Sequence, residues 1–140
     1  MEISKDIHLF WKDIFKISYE NYKKELDAFK YVSVKTFEDY TRYLNENMDG
    51  INGLVYLEDG ECIGFLLYHV REENGEKHCA IPEWGYGANA QDRVKIISYL
   101  FQALASDVVM DQTVNFSVHL YVHDMEIQRL FSYMEFGIQA

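Results

Sequence analysis

The sequence predicts an α/β fold, a mixed sheet flanked by helices in the order ααβββαβα, with Phe136–Ala140 as the start of a further strand. Three observations predict it. Apolar residues recur at helical spacing as far as Met48. From Ile51 the period shortens to that of strands, punctuated by Asp59-Gly60 and Asn74-Gly75. From Gln91 onward a helix, an alternating strand and a second short helix follow in turn.

Ile7, Phe10, Trp11, Ile14, Tyr22, Leu26 and Phe29 fall on one helical stripe, which predicts one long or bent helix over about Asp6 to Lys30. Thr36 is placed to cap a second helix carrying Phe37, Tyr40, Leu44 and Met48, and Asp49-Gly50 stops it. Ile51–Glu58, Glu61–Arg71 and Lys77–Trp84 read as an antiparallel meander. Both connecting dipeptides suit type I′ turns, whose two central residues need positive φ. Gln91–Asp107 carries Val94, Ile97, Leu100, Phe101 and Leu104 as a buried stripe, extended by Val108. Thr113–Val122 alternates, with Val114, Phe116, Val118 and Leu120 on one face. Asp124 then caps a helix that turns Ile127, Leu130, Phe131 and Met134 inward.

At 140 residues the chain reads as a single domain over 1–140, long enough for an ordinary core. A hydrophobic content of 49% argues for a folded chain over a disordered one. The net charge of −10 argues against nucleic acid and anionic membranes as partners, since both need basic patches, and it suits a cationic substrate. The N-terminus has no signal-peptide pattern, and no run approaches the ~18 apolar residues that span a bilayer, so a cytoplasmic location is expected. Pairing across Asn74-Gly75 sets Cys79 opposite Val70, eight positions from Cys62. At ~3.3 Å per residue that is far beyond disulfide reach, and free thiols are expected.

The segment Ile81-Pro82-Glu83-Trp84-Gly85-Tyr86-Gly87-Ala88-Asn89-Ala90 is a strand end followed by a loop of small residues that opens onto a helix. Peptide N–H groups at a helix N-terminus suit a pyrophosphate, and small residues let the backbone approach it. A free strand edge can pair with the amides of a pantetheine arm. This layout resembles the cofactor half of the GNAT N-acetyltransferases, whose loop reads Q/R-x-x-G-x-G/A after the fourth strand. In one register Gly85 and Gly87 are the paired glycines. In the other, which we favour, Pro82-Glu83-Trp84 is the strand end, Gly85 takes the Gln/Arg slot and Ala88-Asn89-Ala90 replaces G-x-G/A. That register sets the loop beside the helix beginning near Gln91.

A second family signature, N-x-x-A-x-x-L-Y-x-x-x-G-F, is matched in spacing by Asp124 through Phe136. Leu130 and Phe136 match, Asp124 replaces the asparagine, Glu135 replaces the glycine and Phe131 takes the tyrosine slot. The family tyrosine can protonate the departing thiolate, and phenylalanine cannot.

The resemblance covers about Ile51 to Phe136. It implies acetyl-CoA held by Ile81, Glu83, Gly85, Tyr86, Gly87, Ala88, Asn89, Ala90, Arg93, Asp124 and Phe131, and a small-molecule or peptide amine as acceptor. Arg93 and Lys95 are the candidate phosphate partners. Glu83 is the candidate general base, because family members often place a glutamate on this strand. His78 points to the other face; His119 and His123 lie ~13 Å apart along a strand, so no metal site is implied.

The family's first strand has at best Met1–Ser4 here, and its last strand reads as missing. A truncated copy, half of a tandem ancestor, or a homodimer completed by a second copy are the alternatives. The expected activity is acetyl-CoA-dependent N-acetyl transfer to an amine by direct transfer. The alternative is a catalytically degenerate domain that binds CoA or a protein.

Overall fold

The computed structural model describes residues 2–27, 33–89, 91–110, 115–133 and 138–139. The first amphipathic stripe forms a single 3₁₀ turn, Ile7–Phe10, followed by helix α1, Trp11–Leu26. The expected continuation over 28–30 lies outside the described residues. Helix α2 spans Phe37–Glu46, and the Thr36 hydroxyl accepts from the Asp39 N–H at 3.2 Å, as an N-cap should.

Strand β1 (Glu2–Ser4) lies antiparallel to β2 (Asn52–Glu58), which pairs antiparallel with β3 (Glu61–Glu73). β3 turns into β4 (Glu76–Ile81). Asp59, Gly60, Asn74 and Gly75 all have positive φ, as the two-residue turns require. Val70 lies opposite Cys79 as predicted, and both cysteines are buried free thiols.

The centre of the sheet is covered on both faces, so successive residues of β2 and β3 are buried in turn instead of alternating with exposed ones. Leu54, Tyr56 and Leu66 pack beneath helix α3 (Arg93–Met110) and helix α4 (Met125–Tyr133). Val55, Leu57, Phe65 and Leu67 pack against α1 and α2. Strand β6 (Asn115–His119) runs parallel to β4, as the intervening helix requires.

Four expectations need correction. The third strand does not reach Trp84. Continuing the hairpin register would set Pro82 opposite Leu67, where the ring removes a ladder donor, so β4 stops at Ile81. The ladder resumes at a strand read as loop in the sequence, β5 (Tyr86–Ala88), which pairs antiparallel with β3. Between His69–Ala80 and Leu66–Tyr86 the β4–β5 side carries three more residues than β3, an enlarged bulge closed by the Gly85 N–H on the Pro82 carbonyl at 2.9 Å.

The helix expected from Gln91 starts at Arg93 and runs on to Met110. The sheet also has two outer strands, one within Met1–Ser4 and one within Phe136–Ala140, where the family's last strand read as missing. β1 pairs with β2, and β7 (Ile138–Gln139) lies parallel to β6. The completed order is β1-β2-β3-β4-β6-β7, with β5 beside β3. Among the described residues, no helix is long and apolar enough to cross a membrane.

Candidate functional site

β4 and β6 are in register from His78–Asn115 to Ile81–Val118, and there they part. The bulge carries the chain away and β5 returns it to β3 alone. Gly85 and Asn89 direct their peptide groups at β3, through Leu67 N to Gly85 O at 2.7 Å and Asn89 N to Ile63 O at 2.9 Å. Strand alternation therefore turns the Tyr86 and Ala88 peptide groups to the opposite edge. Asn21 of α1 meets this edge, donating through Nδ2 to the Tyr86 carbonyl at 3.2 Å.

The bulge is pinned to the helical layer. Ser18, buried on α1, donates to the Trp84 carbonyl at 2.9 Å and shares a 2.8 Å hydrogen bond with the Tyr40 hydroxyl of α2. This fixes Glu83 and Trp84 over the end of α1. Three cavities lie in series along that helix. The first, about 410 Å³, is bounded by Ala88, Asn89, Gln91 and Arg93 at the start of α3, and by Ile17, Glu20, Asn21 and Lys24 of α1. The second, about 260 Å³, shares Asn21, Lys24 and Arg93 with it and adds Glu25, Tyr121, His123, Asp124 and Glu126. The third, about 340 Å³, shares Glu25 and Tyr121 with the second and is walled by Glu83, Trp84, Tyr22, Tyr40 and Tyr43.

Side chains span the gap between the parting strands. Arg93 grips Asp124 with both terminal nitrogens, Nη1 to Oδ1 at 3.0 Å and Nη2 to Oδ2, and donates to Asn21 Oδ1 at 3.3 Å. The Tyr86 hydroxyl donates to Asp124 Oδ2 at 3.0 Å and accepts from the Tyr121 N–H at 3.2 Å. Burial alone would lower the Arg93 pKa, and the hydrogen bonds and charge of Asp124 more than offset this and raise it. Burial, then the Asp124 carboxylate, push the Tyr86 phenol upward, so it stays a donor. Glu25, buried on α1, accepts the His123 N–H on both oxygens at 3.2 and 3.1 Å, and its Oε1 is 3.0 Å from His123 Nδ1. This ties the turn after β6 to α1.

The predicted residues divide into three sets. Glu83, Ala88, Asn89, Arg93 and Asp124 line the cavities. Ile81, Gly85, Tyr86 and Gly87 are framework. Ile81 is core, Gly85 and Gly87 admit close packing against Leu67 and Ile17, and Tyr86 is buried in the bridge. Phe131 requires a correction. Its ring is fully buried, edge-on to Phe101 at 4.9 Å between centroids, and lines none of the three cavities. The α4 stripe that carries it faces the core. Ala90 lies outside the described residues.

Asn21, Lys24, Glu25 and Tyr121 were missed. The first three lie on a helix remote in sequence from the loop. The alternation that put Tyr121 among polar residues ends with β6 at His119. The strand read as running on to Val122, so no local signal marked Tyr121 as standing just past its end.

No protein-family model matches the chain, and no curated protein matches it by sequence. Solved structures do match. A possible acetyltransferase from Clostridium difficile 630 superposes at a TM-score of 0.74 and 14% identity, over 99% of this chain and 92% of that one. A predicted acetyltransferase with acetyl-CoA from Clostridium acetobutylicum gives 0.71 at 10%, over 97% and 89%. Ribosomal-protein-alanine N-acetyltransferase from Brucella melitensis biovar Abortus 2308 gives 0.64 at 15%, over 96% and 91%. The chain has the fold of these acetyltransferases, the GNAT fold. At these identities the likeness is one of fold.

Proposed function

We propose that the chain is an acetyl-CoA-dependent N-acetyltransferase acting on an amine. The observation that carries the reading is the series of cavities opened where β4 and β6 part, running from the start of α3 past the open edge of β5 to Glu83. Its residues fit a ligand with phosphates at one end and amides along its length. Lys24 and Arg93 flank the cavity at the start of α3, where Gln91 and the first-turn peptide groups would meet a phosphate. The Ala88 peptide edge would take the amides. Bound acetyl-CoA would supply an activated acetyl thioester.

The chain's own residues would do the rest. Glu83 would accept a proton from the acceptor nitrogen in the third cavity. With Phe131 in the core, Tyr121 is the hydroxyl-bearing residue that borders both the second and third cavities. Burial pushes its phenol pKa up, so Oη would hold a proton there at neutral pH.

A second reading, a GNAT-like domain without turnover, is favoured by one observation. Of the two cations in the first turn of α3, Arg93 is committed to Asp124, and Lys95 lies over the Tyr99 ring and lines none of the three cavities. Calorimetric titration with acetyl-CoA, followed by thiol release with a panel of amines, separates the two. Binding with a negative heat-capacity change, and loss of ~10²–10⁴-fold in turnover on Glu83→Gln at unchanged acetyl-CoA affinity, are expected for the enzyme. No binding at high micromolar acetyl-CoA would leave the second reading.

A further inference from the structure

We propose that the third cavity is a cage for an alkylammonium group, and that Lys35 is its internal competitor. This deepens the acetyltransferase reading by naming the acceptor as a cationic alkylamine. The wall is aromatic. Tyr22, Tyr40, Tyr43, Trp84 and Tyr121 line the cavity, Tyr22 stacks on Tyr40 at 4.7 Å between centroids, and the Tyr43 ring has a face open to a cation. Aromatic faces carry the negative side of the ring quadrupole and attract cations. Glu83 and Glu25 add formal negative charge at the same walls. A neutral acceptor would gain nothing from either. An ammonium on an alkyl stem uses both, its charge against rings and carboxylates and its methylenes against the ring edges.

The protein already sets one cation against this wall. Lys35 Nζ lies 4.5 Å from the Tyr43 ring centroid, and Lys35 lines the cavity. Its placement is built in, because the Tyr19 hydroxyl donates to the Lys35 carbonyl at 2.8 Å and the Lys35 N–H donates to the Tyr22 hydroxyl at 3.0 Å. Both tyrosines belong to α1, so the segment before α2 is strapped across the cavity with its lysine on the rim. An incoming ammonium must share the rings with Lys35 or displace it. Removing the Lys35 charge relieves that competition.

The test is calorimetry without acetyl-CoA at pH 7.5, using 1,4-diaminobutane, its mono-N-acetyl derivative and 1-butanol. The diamine is expected to bind, the monoacetylated amine more weakly, and the alcohol not at all. Lys35→Met should tighten the diamine by ~2–5-fold, the size of one exposed cation–π contact, whereas Lys35→Arg should leave it unchanged. Glu83→Gln should weaken it. Equal binding of diamine and alcohol, an unchanged affinity in Lys35→Met, or no diamine binding would each overturn the cage. Acetyl-CoA binding, measured separately, tests the underlying function, so the two failures are distinguishable.

Discussion

Arg93 and Asp124 close the gap between the parting strands with a two-pronged ion pair at the first turn of α3 and the entry to α4. Their side chains are only 18% and 10% exposed, so neither charge is well hydrated. Removing one partner should therefore strand the other's charge, so that the two losses do not add. Arg93→Ala is expected to cost roughly 2–4 kcal/mol, and Arg93→Ala with Asp124→Asn less than the sum of the singles. Urea denaturation of the four proteins measures the coupling; a value near zero would mean that the pair behaves as a surface bridge.

Phe131→Tyr should damage the fold without helping any reaction. The ring is fully buried against Phe101, and an added hydroxyl would enter an apolar layer. A loss of ~1–3 kcal/mol is expected, with thiol release unchanged. A faster enzyme of undiminished melting temperature would show that the ring reaches the cavity.

Gly85 is required by close approach. A Cβ there would lie 2.8 Å from the Leu67 carbonyl oxygen and 3.0 Å from two atoms of the Pro82 ring. The first contact is with backbone and cannot rotate away, so Gly85→Ala should open the bulge and cost ~1–3 kcal/mol. Hydrogen exchange at Leu67, whose N–H donates to Gly85, should rise in the variant. Unchanged protection there would count against the bulge geometry.

Alkaline solution should destabilise the protein through its cysteines. Burial pushes Cys62 up to about 11 and Cys79 up to about 12, from an ordinary 9.0. Below pH 9 both states keep the thiols protonated and the shift has no effect on stability. Above it the unfolded thiols ionise while the folded ones cannot. Stability then falls by ~1.4 kcal/mol per pH unit for each thiol, until the folded value is reached. Unfolding free energies at pH 8, 9 and 10 should show this loss, with the buried phenols of Tyr40, Tyr86 and Tyr121 adding to it as pH nears 10, and Cys79→Ala should remove one thiol's share. Neither thiol should react with a disulfide reagent in the native protein at pH 8. Rapid labelling would contradict their burial.

Short-range pattern determined much of this protein. The change of hydrophobic period at Ile51, the two turns Asp59-Gly60 and Asn74-Gly75, and the Thr36 cap are each written in a few adjacent residues, and each stands in the structure. Glu83 was named through the resemblance alone, on a strand that in the structure ends two residues earlier, at Ile81. Tertiary structure alone decided the rest. The strand Tyr86–Ala88 forms only because β3 offers an unpaired edge beyond the point where Pro82 breaks the first ladder. Periodicity told that the Phe131 face of α4 is buried, but not that its neighbour is Phe101 rather than a ligand. Arg93 read as a phosphate partner until Asp124, 31 positions on, was brought to it. Glu25 and His123 meet across 98 positions. Such contacts depend on how the helical layers sit on the sheet, which the packing of two whole faces sets and no window of sequence contains.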